Sequence, residues 1–186
     1  MIKRLTVLIG GMMLLTACGP EEEFVRPQWV ELTREAAGHY CQMIVLDHPG
    51  PKAQVHIAGL PQPVWFAQVR DAIAFTRMPE EPKDIAAIYV SDMGKAESWD
   101  KPGATNWIAI EDAMFVIGSK GRGGMGAPET IPFATKAAAE TYRASHGGTI
   151  VSYSDVPDDA VFGTVNVGEA NETAPDATHS SNHSDG

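Results

Sequence analysis

Hydrophobic and polar positions divide the chain into an apolar leader, a patterned middle and a polar tail. Leu5 to Leu15 runs almost without polar side chains. In the middle, Ala53-Gln-Val55-His-Ile57 alternates with period two and predicts a strand. Pro63-Val64-Trp65-Phe66 reads as a second extended piece. Val69 to Arg77 follows as a helix, with Val69, Ala72, Ile73 and Phe75 or Thr76 on one side and Pro79 stopping it. Ile85 to Val90 is a strand ending in Ser91-Asp92-Met93-Gly94. Further on, Trp107 to Ile110 and Met114 to Ile117 are extended, Gly121 to Gly126 is a mobile glycine-rich turn, and Thr130 to Phe133 is a strand end. Thr135 to Ser145 is an alanine-rich helix ended by Gly147-Gly148, and Thr149 to Tyr153 is a strand. Leu32 to Ala37 reads as a short helical turn or lead-in, with Thr33 a possible cap. From Gly163 the chain is polar, has almost nothing to bury and predicts a disordered tail. Its His179 and His183 need no function.

The two halves of the middle align. Val64-Trp-Phe66-Ala67 matches Ile131-Pro-Phe133-Ala134, and Ala72 and Phe75 then meet Ala139 and Tyr142. After a short deletion, Ile88 to Met93 meets Val151 to Val156. The expected fold is therefore α+β: two repeated ββαβ units, residues 39–98 and 99–162, packed as one compact domain because neither buries its sheet alone.

The leader changes the setting. Lys3 and Arg4 precede an apolar stretch of about 11 residues, well short of the roughly 20 that span a bilayer, so it reads as a signal peptide. It ends in Leu15-Thr16-Ala17-Cys18, an aliphatic and two small residues before cysteine, which is a lipobox. Residues 1–17 form the expected signal peptide. Residues 18–38 form a lipidated Cys18, a charged spacer and the lead-in. Diacylglycerol on the Cys18 thiol and an acyl chain, such as palmitate, on its amino group give a stable anchor. Gly19, in place of an inner-membrane-retaining aspartate, favours the outer membrane. Loss of Lys3 and Arg4 takes the net charge from −10 to −12. Such acidity argues against nucleic acid as a partner and suits a basic protein surface.

The chain has two cysteines, and the lipid takes Cys18. Cys41 is left as an unpaired thiol in an oxidising compartment, where it is buried and inert, catalytic, or a metal ligand. Tyr40-Cys41-Gln42-Met43 sets a thioether two residues from the thiol, on the same face if the segment is extended. Thiolate with thioether is a soft donor set suited to Cu(I), whereas Zn(II) prefers imidazole or carboxylate beside thiolate. Met93, at a strand mouth where the second unit has Val156, and Met125, on the glycine turn, are the further sulfur donors. His39 and His48 rank below Met93 as the third ligand, and Met78 and Met114 read as packing. The competing class is a Cys41-dependent thiol enzyme, a lyase or transferase, but no oxyanion-forming motif accompanies Cys41. The glycine turn also lacks the Gly-Lys-Ser/Thr ending of a phosphate-binding loop.

Taken together, the lipobox, Cys41-Gln-Met43, Asp47-His-Pro-Gly-Pro-Lys52, Trp65-Phe66 with Arg70-Asp71-Ala72, Tyr89-Val-Ser-Asp92-Met93-Gly94 and Gly123-Gly-Met125-Gly126-Ala-Pro128 resemble the NosL accessory lipoproteins, from about Tyr40 to Asp159. The resemblance implies a non-enzymatic, lipid-anchored, periplasm-facing copper chaperone. It would supply Cu(I) for the copper–sulfide centre of nitrous oxide reductase during denitrification. The partners implied are an ABC-type membrane maturation complex and apo-nitrous oxide reductase. It also implies a fold like that of organomercurial lyase, and carries metal ligation onto Cys41, Met43 and Met93.

Overall fold

The computed structural model describes residues 25–163. The leader, the lipobox with Cys18 and the tail carrying His179 and His183 lie outside the described residues. Strand β1 (Ala53–Ile57) is the hub of the first sheet. It pairs antiparallel with β2 (Val64–Phe66), Val55 opposite Val64, and with β3 (Ile85–Ser91), Val55 opposite Ile88. A register shift between His56 and Ile57 bends its far end. All five β1 residues are buried although their sequence alternates. Ala53, Val55 and Ile57 face helix α1 (Val69–Arg77) in the main core. On the other face the Gln54 amide accepts from Val30 N–H (2.9 Å) and donates to Val30 O (3.0 Å), and His56 bonds Gln54 Oε1 (2.9 Å) and packs edge-on to Tyr89. A polar residue inside is tolerated because its hydrogen bonds are made.

Strand β4 (Trp107–Ala109) joins β3 antiparallel, giving the order β2-β1-β3-β4. The pairing corrects the sequence grouping of Trp107 to Ile110 with the second half. Three ladder positions, with Tyr89 and Trp107 in one buried cluster, hold this piece to the first sheet. The second sheet has the order β6-β5-β7, from β5 (Met114–Ile117), β6 (Ile131–Phe133) and β7 (Thr149–Ser152). Helix α2 (Lys136–His146) lies between β6 and β7 in the chain and packs on all three strands. Thr135 caps it, its side chain accepting from Ala138 N–H. A short helix, α3 (Asp158–Phe162), returns against α1. Phe115, Val156 and Val161 share one core with Val55 and Phe75, so both sheets close on a common interior.

The lead-in is a single turn, closed by Ala36 N–H on Thr33 O (3.2 Å), without helix. Among the described residues, no helix is long and apolar enough to cross a membrane.

Candidate metal site

The segment bearing Cys41 is a tight turn and not extended, which corrects the sequence expectation. Ala37 and Ile44 bridge antiparallel, Gly38 N–H donates to Met43 O (2.9 Å), and Gln42 N–H donates to Gly38 O (2.8 Å). Gln42 has φ +56, the left-handed region, and its side chain donates back to His39 O. The chain reverses between the two sulfur residues, so i and i+2 do not share a face. Cys41 turns inward: a Cβ at Gly38 would lie 2.5 Å from its Sγ, a space only glycine leaves free. Met43 turns outward and is 44% exposed.

Beside the turn lies a cavity of about 180 Å³, lined by His39, Tyr40, Cys41, Gln68, Asp71 and Met125 among others. Cys41 is free and half-buried. Met125 reaches the same cavity from residues 121–128, far away in sequence. That loop is well tethered, contrary to its reading as a mobile turn. Trp99 Nε1 donates to Arg122 O (3.2 Å), Gly123 N–H to Ala127 O (2.9 Å), and His48 Nδ1 lies 3.2 Å from Gly124 O. Met125 N–H donates to Gln68 Oε1 (3.0 Å), and Gln68 Nε2 donates to Asp71 Oδ2 (2.8 Å). The Met125 backbone is fixed while its side chain stays 46% exposed.

Glu129 ends the same loop and completes its anchoring. Its carboxyl accepts from Val69 N–H (3.3 Å), Arg70 N–H (2.9 Å) and Thr130 N–H (2.8 Å). Gln68, at the N-cap of α1, makes no side-chain cap bond, so Glu129 satisfies the helix's orphan donors from across the fold. Burial pushes the Glu129 carboxyl up to about 8, against the pull of the three N–H donors. Burial likewise raises the Asp71 carboxyl above its usual range, against the Gln68 bond.

The other sequence candidates fall elsewhere. Met93 is not among the residues lining the Cys41 cavity. Its N–H is bound to Pro132 O (3.0 Å), and its side chain packs with Phe133 and Tyr142 in the core of the second sheet. His39 packs against Phe66 and Phe75, with Nε2 3.7 Å from Glu81. Tyr40 donates to Glu81 and to Met78 Sδ (3.6 Å); burial and then the Glu81 charge raise its phenol. Among the described residues, no group of three or more His, Cys, Asp and Glu side chains is placed to hold a metal ion. A three-donor site there has to recruit methionine. Gln68, Asp71 and Glu129 were given no role by sequence reasoning. A glutamine where a helix cap belongs, and a carboxylate set among Pro128, Thr130 and Ile131, were the available signals.

A family model described as NosL matches residues 29–161. The chain belongs to the NosL family. It is 45% identical over 167 residues to the copper-binding lipoprotein NosL of Achromobacter cycloclastes, covering 89% of this chain and 86% of that protein. It is 30% identical over 170 residues to the copper-binding lipoprotein NosL of Stutzerimonas stutzeri, with the same coverage of 89% and 86%. The crystal structure of the copper chaperone NosL from Shewanella denitrificans superposes with a TM-score of 0.66 at 27% identity, covering 70% of this chain and 96% of that one. These NosL relatives carry the names of binders and a chaperone, and none is named as an enzyme.

Proposed function

We propose that this chain is a lipid-anchored copper chaperone in which the Cys41 thiolate and the Met125 thioether hold Cu(I) across the cavity beside the 38–43 turn. The observation that carries this reading is the convergence on one cavity of a free thiol and a thioether from distant segments, in a chain of the NosL family. Met43 sits on the same turn as Cys41. With three rotatable bonds, its exposed side chain is the third sulfur available to the ion. Sulfur donors of this kind favour the cuprous state. The site is half-open, so an incoming ligand can bind copper before Cys41 lets go, as delivery requires.

The names of the relatives support copper as cargo and a lipid anchor, which in this chain falls on Cys18 of the lipobox. We place the anchor in the outer membrane on the Gly19 argument, with the domain in the periplasm. Recipients are apo-nitrous oxide reductase, for its copper–sulfide centre, and the ABC-type membrane complex that matures it. The shared strand order, β2-β1-β3 and β6-β5-β7 with a helix before the last strand of each, supports reading the fold as two copies of a ββαβ unit, as in organomercurial lyase. A thiol enzyme is disfavoured, because the imidazole that lines the same cavity, His39, is packed against aromatic rings and directed at Glu81.

Titration of Cu(I) against a competing chelator tests the proposal. The mature chain takes up one equivalent tightly; Cys41→Ser loses that uptake, and Met125→Leu weakens it. X-ray absorption of the loaded protein gives a shell dominated by sulfur. Undiminished uptake by Cys41→Ser, or a shell of nitrogen and oxygen alone, overturns it.

A further inference from the structure

Met93, absent from the Cys41 cavity, lines a second one. This cavity, about 260 Å³ in volume, is bounded by Met93, Ala96, Ser98, Trp99, Tyr142 and His146. Four of these six side chains are a thioether, an imidazole and two aromatic rings, and none is a carboxylate.

Each donor is held in place. The Met93 backbone is clamped on both sides: its N–H binds Pro132 O (3.0 Å), and the preceding Asp92 carboxylate accepts from Gly94 N–H and Ala134 N–H, both at 3.0 Å. His146 closes α2, with Nδ1 3.1 Å from Tyr142 O. A backbone carbonyl only accepts, so Nδ1 is the donor there and Nε2 is the nitrogen left for a ligand. A hydrogen bond from the other ring nitrogen to a carbonyl is the usual support for an imidazole that ligates a metal. The carbonyl end of α2 also favours positive charge at this position.

The aromatic walls add to this. His146 stacks on Tyr142 at 4.1 Å and 6°, and Tyr142 stacks on Trp99 at 6.4 Å and 20°. Trp99 is oriented by its Nε1 bond to Arg122 O and lines the cavity beside Met93 and His146. Thioether and neutral imidazole, without carboxylate, select a soft ion of low coordination number over Mg(II), Ca(II) or Zn(II).

The geometry points to a second site for a soft monovalent cation, Cu(I) or its analogue Ag(I), held by Met93 Sδ and His146 Nε2 in the cavity that Trp99 helps to line. It shares no residue with the Cys41 cavity and does not depend on Cys41. The 121–128 loop runs past both: Arg122 is bonded to Trp99 at the second cavity, and Met125 lines the first.

The test uses the full mature chain carrying Cys41→Ser, titrated with Ag(I) and followed by tryptophan emission. The expected result is saturable binding that quenches part of the emission. Met93→Leu and His146→Ala each weaken it by roughly tenfold or more, which a lost soft ligand implies. Trp99→Phe keeps the binding and abolishes the quenching. Thermal midpoints compared across the set exclude misfolding as the cause. Binding unchanged by both Met93→Leu and His146→Ala, or no Ag(I) bound at all, overturns the inference. Failure of the Cys41 proposal shows instead as Cu(I) uptake by the wild-type chain that is indifferent to Cys41→Ser yet lost in Met93→Leu.

Discussion

Cys41 Sγ rests where a side chain on Gly38 would begin, so the thiol's position is set by the absence of one carbon. Gly38→Ala places a methyl 2.5 Å from that sulfur and has to push it away. The expected outcome is a fall in Cu(I) affinity of about tenfold or more, a loss of roughly 1.4 kcal/mol, with the Cys41 thiol more reactive to a maleimide. Unchanged affinity would show that the thiol does not need this seat. At this scale the sequence was informative about element type but not about direction. A free thiol and methionines point to soft-metal chemistry wherever they lie, so Cys41 and Met125 could be singled out as candidates, and the structure sets both on one cavity. That Cys41 and Met43 diverge was not legible, because it depends on Gln42 entering the left-handed region, which its residue type does not announce.

Elements were legible where periodicity and terminators agree. Strand β1 and helix α1 run over the residues expected, since alternation marks the one and an apolar stripe stopped by Pro79 marks the other. Strand β4 was assigned to the wrong half because three apolar residues carry no signal of their partner. The 121–129 loop was read as mobile because the partners that pin it to the rest of the fold lie far off in sequence: Trp99, His48, Gln68 and the backbone of α1. Gln68 is the tether that also lines the Cys41 cavity. Gln68→Ala removes the acceptor of Met125 N–H and the donor to Asp71 at once, costing about 1–2 kcal/mol of stability. It should release copper to a chelator several-fold faster in stopped flow. Paired with Met125→Leu in a double-mutant cycle, it should add little beyond the single change, because both act through one thioether. Full additivity would place Gln68 outside the site.

Taken whole, the molecule is two sheets locked by buried polar side chains exchanged between the halves. Arg70, on the first half's helix, donates to Pro128 O (3.1 Å), Val161 O (2.7 Å) and Gly163 O (3.2 Å), while Glu129 returns from the second half to the N-terminus of that helix. Lys52 lies wholly inside, with Nζ on Pro49 O (2.8 Å) and Gly50 O (2.7 Å). Burial brings its ammonium down to about 8 from 10.5, while the Glu129 carboxyl rises to about 8 from 4.5. Between pH 4.5 and 8 the folded chain keeps a proton on Glu129 that the unfolded chain has lost, so stability falls as pH rises. Between pH 8 and 10.5 the unfolded chain holds a proton on Lys52 that the folded chain has lost, so stability rises with pH. Together these two groups give a trough near pH 8, each limb on the order of a few kcal/mol. Urea unfolding at pH 5, 8 and 10 measures it. Glu129→Gln should flatten the acid limb and, by removing the charge that holds the Lys52 ammonium up, steepen the alkaline one, whereas Lys52→Met should flatten the alkaline limb. A profile that neither substitution changes would mean that water or neighbouring dipoles already compensate both charges, and that the lock between the halves is held by hydrogen bonding without a proton in play.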